Sequence, residues 1–193
     1  GYFGLYNTGG VITTLTNAGT ISAITKYGGI YNSDSSTITT LTNTGTISAR
    51  SDYGILNNGS SLITTLNNSG TISANGDDYG IFNESTITTL NNSGTISAFD
   101  DFGMGNDSVI TTLDNSGTIS AYDDYGIRNN GVITTLDNSG TISTGDLYGL
   151  INGSGGSDGT ITTLTNTGTI SAENDYGLFN HANGSITTLT NSG

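Results

Sequence analysis

The stretch from Ile38 to Ala49, ITTLTNTGTISA, returns with small changes from Ile12, Ile63, Ile87, Ile110, Ile133 and Ile161. A dozen residues used this often have to be read as a structural unit, because missing an internal repeat mis-assigns the whole fold. Working outward from it, an aromatic-Gly step recurs at Phe3, Tyr27, Tyr53, Tyr79, Phe102, Tyr125, Tyr148 and Tyr176, with spacings of 24, 26, 26, 23, 23, 23 and 28 residues. That is the period of a solenoid. The segment from ITTL to GTIS is always eleven residues long, as from Ile12 to Ser22. Length varies chiefly between the Asn of YGIxN and the next ITT, which places the insertions at one corner of a constant shaft.

Strand residues alternate faces with period two. Tyr125, Ile127, Asn129, Gly131 and Ile133 share one parity, and Leu136, Asn138, Gly140 and Ile142 share the other. The switch falls at Thr134-Thr135, which predicts a corner or bulge there. Tyr125 is thereby expected on the same face as Ile127. The reading is an all-β, parallel β-solenoid of seven to eight coils of 23–28 residues, one domain over residues 1–193. Each coil has three short strands, YGIxN, the ITTL arm and GTISA, rich in the β-branched residues that strands favour. Gly, Asn, Thr and Ser dominate and no 3.6 spacing persists, so helix is disfavoured.

Stacking such coils turns each repeated position into a column spaced about 4.8 Å. Ile21, Ile47, Ile72, Ile96, Ile119, Ile142 and Ile170 form one apolar column, and Leu15, Leu41, Leu66, Leu90, Leu113, Leu136, Leu164 and Leu189 another. At about 1.5–3 kcal/mol for each fully buried Leu or Ile, the columns work only together, since a single coil can bury almost nothing. Two asparagine columns run without a gap. One holds Asn17, Asn43, Asn68, Asn92, Asn115, Asn138, Asn166 and Asn191; the other holds Asn7, Asn32, Asn57, Asn83, Asn106, Asn129, Asn152 and Asn180. An Asn amide accepts and donates at once, so these are expected to be structural ladders rather than ligand-binding residues.

The motif N-x-G-x-I, as at Asn43 to Ile47, together with YGIxN, resembles the repeats of bacterial autotransporter passengers and filamentous-haemagglutinin-type adhesins, over essentially the whole chain. That resemblance implies a right-handed parallel β-helix displayed on the cell surface. It implies an extracellular structural or adhesive rod, either the stalk of a surface adhesin or the building block of a filament.

Composition narrows the chemistry. A formal charge of −13, with Lys26, Arg50 and Arg128 far apart, argues against nucleic acid as a partner. The chain has no cysteine, which removes disulfides and thiolate metal sites. No apolar run approaches the roughly 20 residues of a membrane span, so membrane insertion is not expected. Partners expected of such a rod are copies of itself, end to end or side by side, and surface glycans or host cells.

Acidic residues cluster before the aromatic step, at Asp52, Asp77, Asp78, Asp100, Asp101, Asp123, Asp124, Asp146 and Asp175. Stacked, they form a stripe of like charges for which calcium is the natural counter-ion; of these, Asp77, Asp78, Asp100, Asp101, Asp123 and Asp124 are the candidate ligands. The nonapeptide of calcium-loaded β-rolls is missing, and the alternative is a solvated acidic edge with no cofactor. The Thr-Ile-Ser steps, such as Thr46 to Ser48, put hydroxyls outward in two files, which resembles the T-x-T face of ice-binding solenoids. A carbohydrate-binding or carbohydrate-active β-helix is a further alternative, with the aromatic column as its platform. An enzyme is not expected, because the single histidine, His181, has no acidic or nucleophilic partner fixed by the repeat. Seven N-x-[ST] matches, Asn58 and Asn183 among them, are expected by chance in a chain this rich in Asn and Ser.

Overall fold

The computed structural model describes every residue except Asp77. The chain is an all-β parallel solenoid of about eight turns, with three sheets running its length and no helix among the described residues. In one coil the strands are Tyr79–Asn83, Thr86–Asn92 and Thr95–Ala98. Their counterparts in neighbouring coils pair in parallel, giving an eight-stranded sheet 1, an eight-stranded sheet 2 and a seven-stranded sheet 3.

Equivalent residues lie directly over one another. Leu41 pairs with Leu66, Leu66 with Leu90 and Leu90 with Leu113, while Ile47, Ile72, Ile96 and Ile119 do the same in sheet 3. The interior is a single set of apolar columns in which Ile38, Leu41, Ile47 and Ile55 and their repeats in the central coils have no exposed surface, while their equivalents in the end coils, such as Ile12 and Ile186, are partly exposed. The Thr-Thr switch is where parity predicts it. Ile87 and Leu90 both face inward with two threonines between them, and Thr88 drops out of the pairing register while Thr89 pairs with Thr112.

A second parity switch, at the aromatic-Gly step, is not anticipated by the alternation of residues. Tyr125 does not share the face of Ile127: Ile127 is in the interior, whereas Tyr125 packs in an external cluster with Tyr79, Phe82 and Phe102. The glycine between ring and isoleucine causes the turn. A Cβ at Gly80 would lie 2.6 Å from the Gly103 carbonyl oxygen and 2.8 Å from that of Ser97, so only glycine lets sheet 3 and sheet 1 meet this closely.

The second coil also departs from the expected register. Gly28, not Tyr27, pairs with Phe3 on one side and Tyr53 on the other. Tyr27 lies one residue outside the column, with φ of 68°. Ile30 and Asn32 fix this register, because counting back four residues from the ladder asparagine reaches Gly28.

Candidate functional site

Both asparagine columns are ladders. In each, the Nδ2 of one coil donates to the Oδ1 of the next, at 2.8–2.9 Å from Asn7 to Asn180 and 2.7–2.8 Å from Asn17 to Asn191. The remaining hydrogen serves the corner: Asn92 Nδ2 also reaches the carbonyls of Gly94 and Thr118, at 3.3 and 3.1 Å. All the ladder amides therefore point the same way. The backbone at these corners runs in the opposite sense, with Ser93 and Gly94 donating back to the Asn68 carbonyl. One residue type thus closes two of the three corners. The match to N-x-[ST] at Asn83, Asn106 and Asn152 is spent in the same way, since those side chains are buried in the ladder, while Asn91 and Asn183 are exposed.

On the outer face of sheet 1 the rings of Tyr53, Tyr79, Phe102, Tyr125, Tyr148 and Tyr176 stack at centroid separations of 4.6–6.0 Å and interplanar angles of 8–26°. Phe82 joins at 4.3 Å from Tyr79. Gly105 leaves room in the neighbouring column for the Tyr79 and Phe82 rings, and Arg128 lies over this group. Its guanidinium lies 4.9 Å from the Phe102 centroid and is held by Asp107 at 3.0 Å. Sandwiched rings spend their faces on each other and offer edges to solvent. Burial, followed by the charges of Asp78 and Asp52, pushes the Tyr53 hydroxyl up to about 12; burial raises that of Tyr79 as well.

The acidic stripe condenses at one place. Carboxylate oxygens of Asp123, Asp124 and Asp146 lie within 4.8 Å of one another. Desolvation and then the charges of Asp146 and Asp100 hold Asp123 above the usual aspartate range; desolvation and then Asp123 do the same to Asp124. Of the sequence candidates, Asp100 enters this group through its influence on Asp123, and Asp146 is the member that the candidate set omits. Elsewhere in the stripe, the Asp78 carbonyl accepts from Phe102 N–H, and that of Asp101 from Tyr125 N–H. Asp77 lies outside the described residues.

Beside this cluster is a groove of about 490 Å³ lined by Tyr122, Ser143, Gly145, Asp146, Ser171 and Glu173, among others. Tyr122 and Phe99 are exposed and stack in parallel, 5.5 Å apart with planes 4° from each other. No signal in the period marks this pair, because the position after TISA carries a different residue in almost every coil. His181, in the variable corner, rests edge-on against Phe179 at 5.9 Å. The Thr and Ser side chains of sheet 3 flank buried isoleucines and remain partly open to solvent, as at Thr95 and Ser97.

No protein family, no curated protein and no solved structure matches this chain.

Proposed function

We propose that the chain is an extracellular structural rod, the stalk of a surface adhesin or the repeating part of a filament, of the autotransporter and haemagglutinin type. What carries this reading is the pair of asparagine ladders, unbroken from Asn7 to Asn180 and from Asn17 to Asn191. They cross-brace every coil to the next with buried hydrogen bonds along the long axis. Such bracing serves stiffness and reach: eight coils at the sheet spacing extend about 35 Å. The acidic charge keeps such rods hydrated and apart, while copies of the chain and surface glycans are the partners it would meet. Electron microscopy of the purified chain should give short straight rods, and immunogold labelling of intact cells should decorate their exterior. Compact round particles, or label confined to the cell interior, would overturn the proposal.

One observation favours a second reading. The seven strands of sheet 3 hold their Thr and Ser hydroxyls in register and partly open to solvent, the disposition an ice-binding face requires. Thermal hysteresis in a nanolitre osmometer is its test, and freezing without a hysteresis gap removes it.

A further inference from the structure

Phe99, Tyr122, Gly145 and Glu173 follow the sheet 3 strands at one position of four successive coils, because Ala98 pairs with Ala121, Ala121 with Thr144 and Thr144 with Ala172. Phe99 covers one face of the Tyr122 ring. On the other side the next coil contributes Gly145, which has no side chain, and the coil after that contributes Glu173. The result is a slot about 10 Å across at the sheet spacing, with an aromatic face at one end, a carboxylate at the other and Gly145 as its floor. Its walls are hydroxyls of Ser143 and Ser171, together with Asp146, whose Oδ1 accepts from Asn174 Nδ2 at 2.8 Å.

This is the combination absent from the sheet 1 column, where each interior ring has a neighbour on both faces. Tyr122 is 71% exposed and has a face to spare. A flat C–H surface edged with hydroxyls is the complement of such a slot, and the groove volume lies within the range of small-molecule sites.

We propose that the slot between Tyr122 and Glu173 binds a neutral pyranose sugar, its C–H face on Tyr122 and its hydroxyls on Asp146, Asn174 and the serines. The carboxylates of Asp123, Asp146 and Glu173 exclude uronic acids and sugar phosphates. The binding site goes beyond the rod and does not depend on it, since the two are read out by different measurements.

Saturation-transfer NMR on the full chain tests the proposal, with methyl β-D-glucopyranoside, methyl β-D-galactopyranoside, galacturonate and choline as probes. At least one neutral pyranoside should receive saturation on the protons of a single ring face, and galacturonate none. Tyr122→Ala should weaken that binding by about tenfold, the scale of one aromatic contact, with unchanged circular dichroism and melting. Phe99→Ala removes a comparably exposed ring that lies on the far face of Tyr122, outside the slot, and should leave binding within about twofold, a few tenths of a kcal/mol. No transfer to either neutral pyranoside would overturn the site. So would binding that survives Tyr122→Ala, binding lost equally in Phe99→Ala, or choline outcompeting the sugars.

Discussion

Asn106 is fully buried and carries four obligations. It accepts from Asn83 and donates to Asn129, each at 2.8 Å, and also donates to the Ser108 and Val132 carbonyls at 3.2 Å. Leucine would fill much of the same volume but strand the Asn129 oxygen and take away the acceptor of the Asn83 amide, at about 1–3 kcal/mol for each buried group that loses its partner. Asn106→Leu should therefore lower stability by about 3 kcal/mol in urea unfolding. Asn106→Asp separates hydrogen bonding from size. Ionised, its carboxylate accepts only and faces the Asn129 oxygen; protonated, it can donate again. A buried carboxyl of this kind has a raised pKa, so the variant should be most stable in acid and weaken as pH rises through that value. A urea midpoint that does not change with pH would mean that the amides do not donate along the axis. The tyrosine column makes a similar test at high pH. Tyr53 titrates near 12 instead of 10 and Tyr79 is raised too. Between those values the unfolded chain releases protons that the folded chain keeps, so the fold loses stability as pH climbs from about 10 to 12. Melting temperature followed against the ultraviolet tyrosinate signal should show the loss beginning before Tyr53 ionises.

At the scale of the strand and its corner, glycine sets how closely coils approach. A Cβ at Gly94 would sit 2.2 Å from the Gly70 carbonyl oxygen, and Gly45, Gly70, Gly117 and Gly140 meet the same backbone atom of the preceding coil at 2.1 Å. Gly19, in the first coil, meets nothing within 4 Å. Gly94→Ala should thus cost about 3 kcal/mol or more, because the obstacle is backbone and no rotamer relieves it. Gly19→Ala should be close to neutral. Equal melting of the two variants would mean that the coils are not stacked at this spacing. The N-x-G-x-I motif displayed this requirement in the sequence, as it did the Asn ladders, because both constraints act on every coil and so leave a residue in every coil. The aromatic-Gly corner was harder to read. Period-two alternation assumes a straight strand, and Gly80 with its equivalents bends the chain between ring and isoleucine, so Tyr125 reads as interior when it is external. Tyr27 misleads for a related reason: its own neighbours in sequence look like the step, while the register is set by Ile30 and Asn32 further on. The Tyr122 slot left no periodic trace, since a gap in a column is visible only once the columns are in place.

For the whole molecule, stability is a sum of coil and coil-to-coil terms rather than the property of one core. Ile133 over Ile110 is the same contact as Ile110 over Ile87, so a coil is exchangeable for its neighbour. Residues 102–124 make one such unit of 23 residues, and its deletion joins Asp101 to Tyr125. Each column then closes over the gap: Asn83 meets Asn129, Asn92 meets Asn138, Leu90 meets Leu136 and Ile96 meets Ile142. Arg128 loses Asp107 and keeps Tyr79 and Phe82 beneath it. The shortened chain should fold, with an unchanged β signature by circular dichroism and a length about 4.8 Å smaller in X-ray scattering. It should melt lower, because one set of interfaces is gone while the cost of ordering the first coil remains. Removing 12 residues instead, from Phe102 to Leu113, would shift sheet 1 residues onto sheet 2 positions and end both ladders, and that chain should not fold. If the two deletions behave alike, the columns are not what holds the rod together.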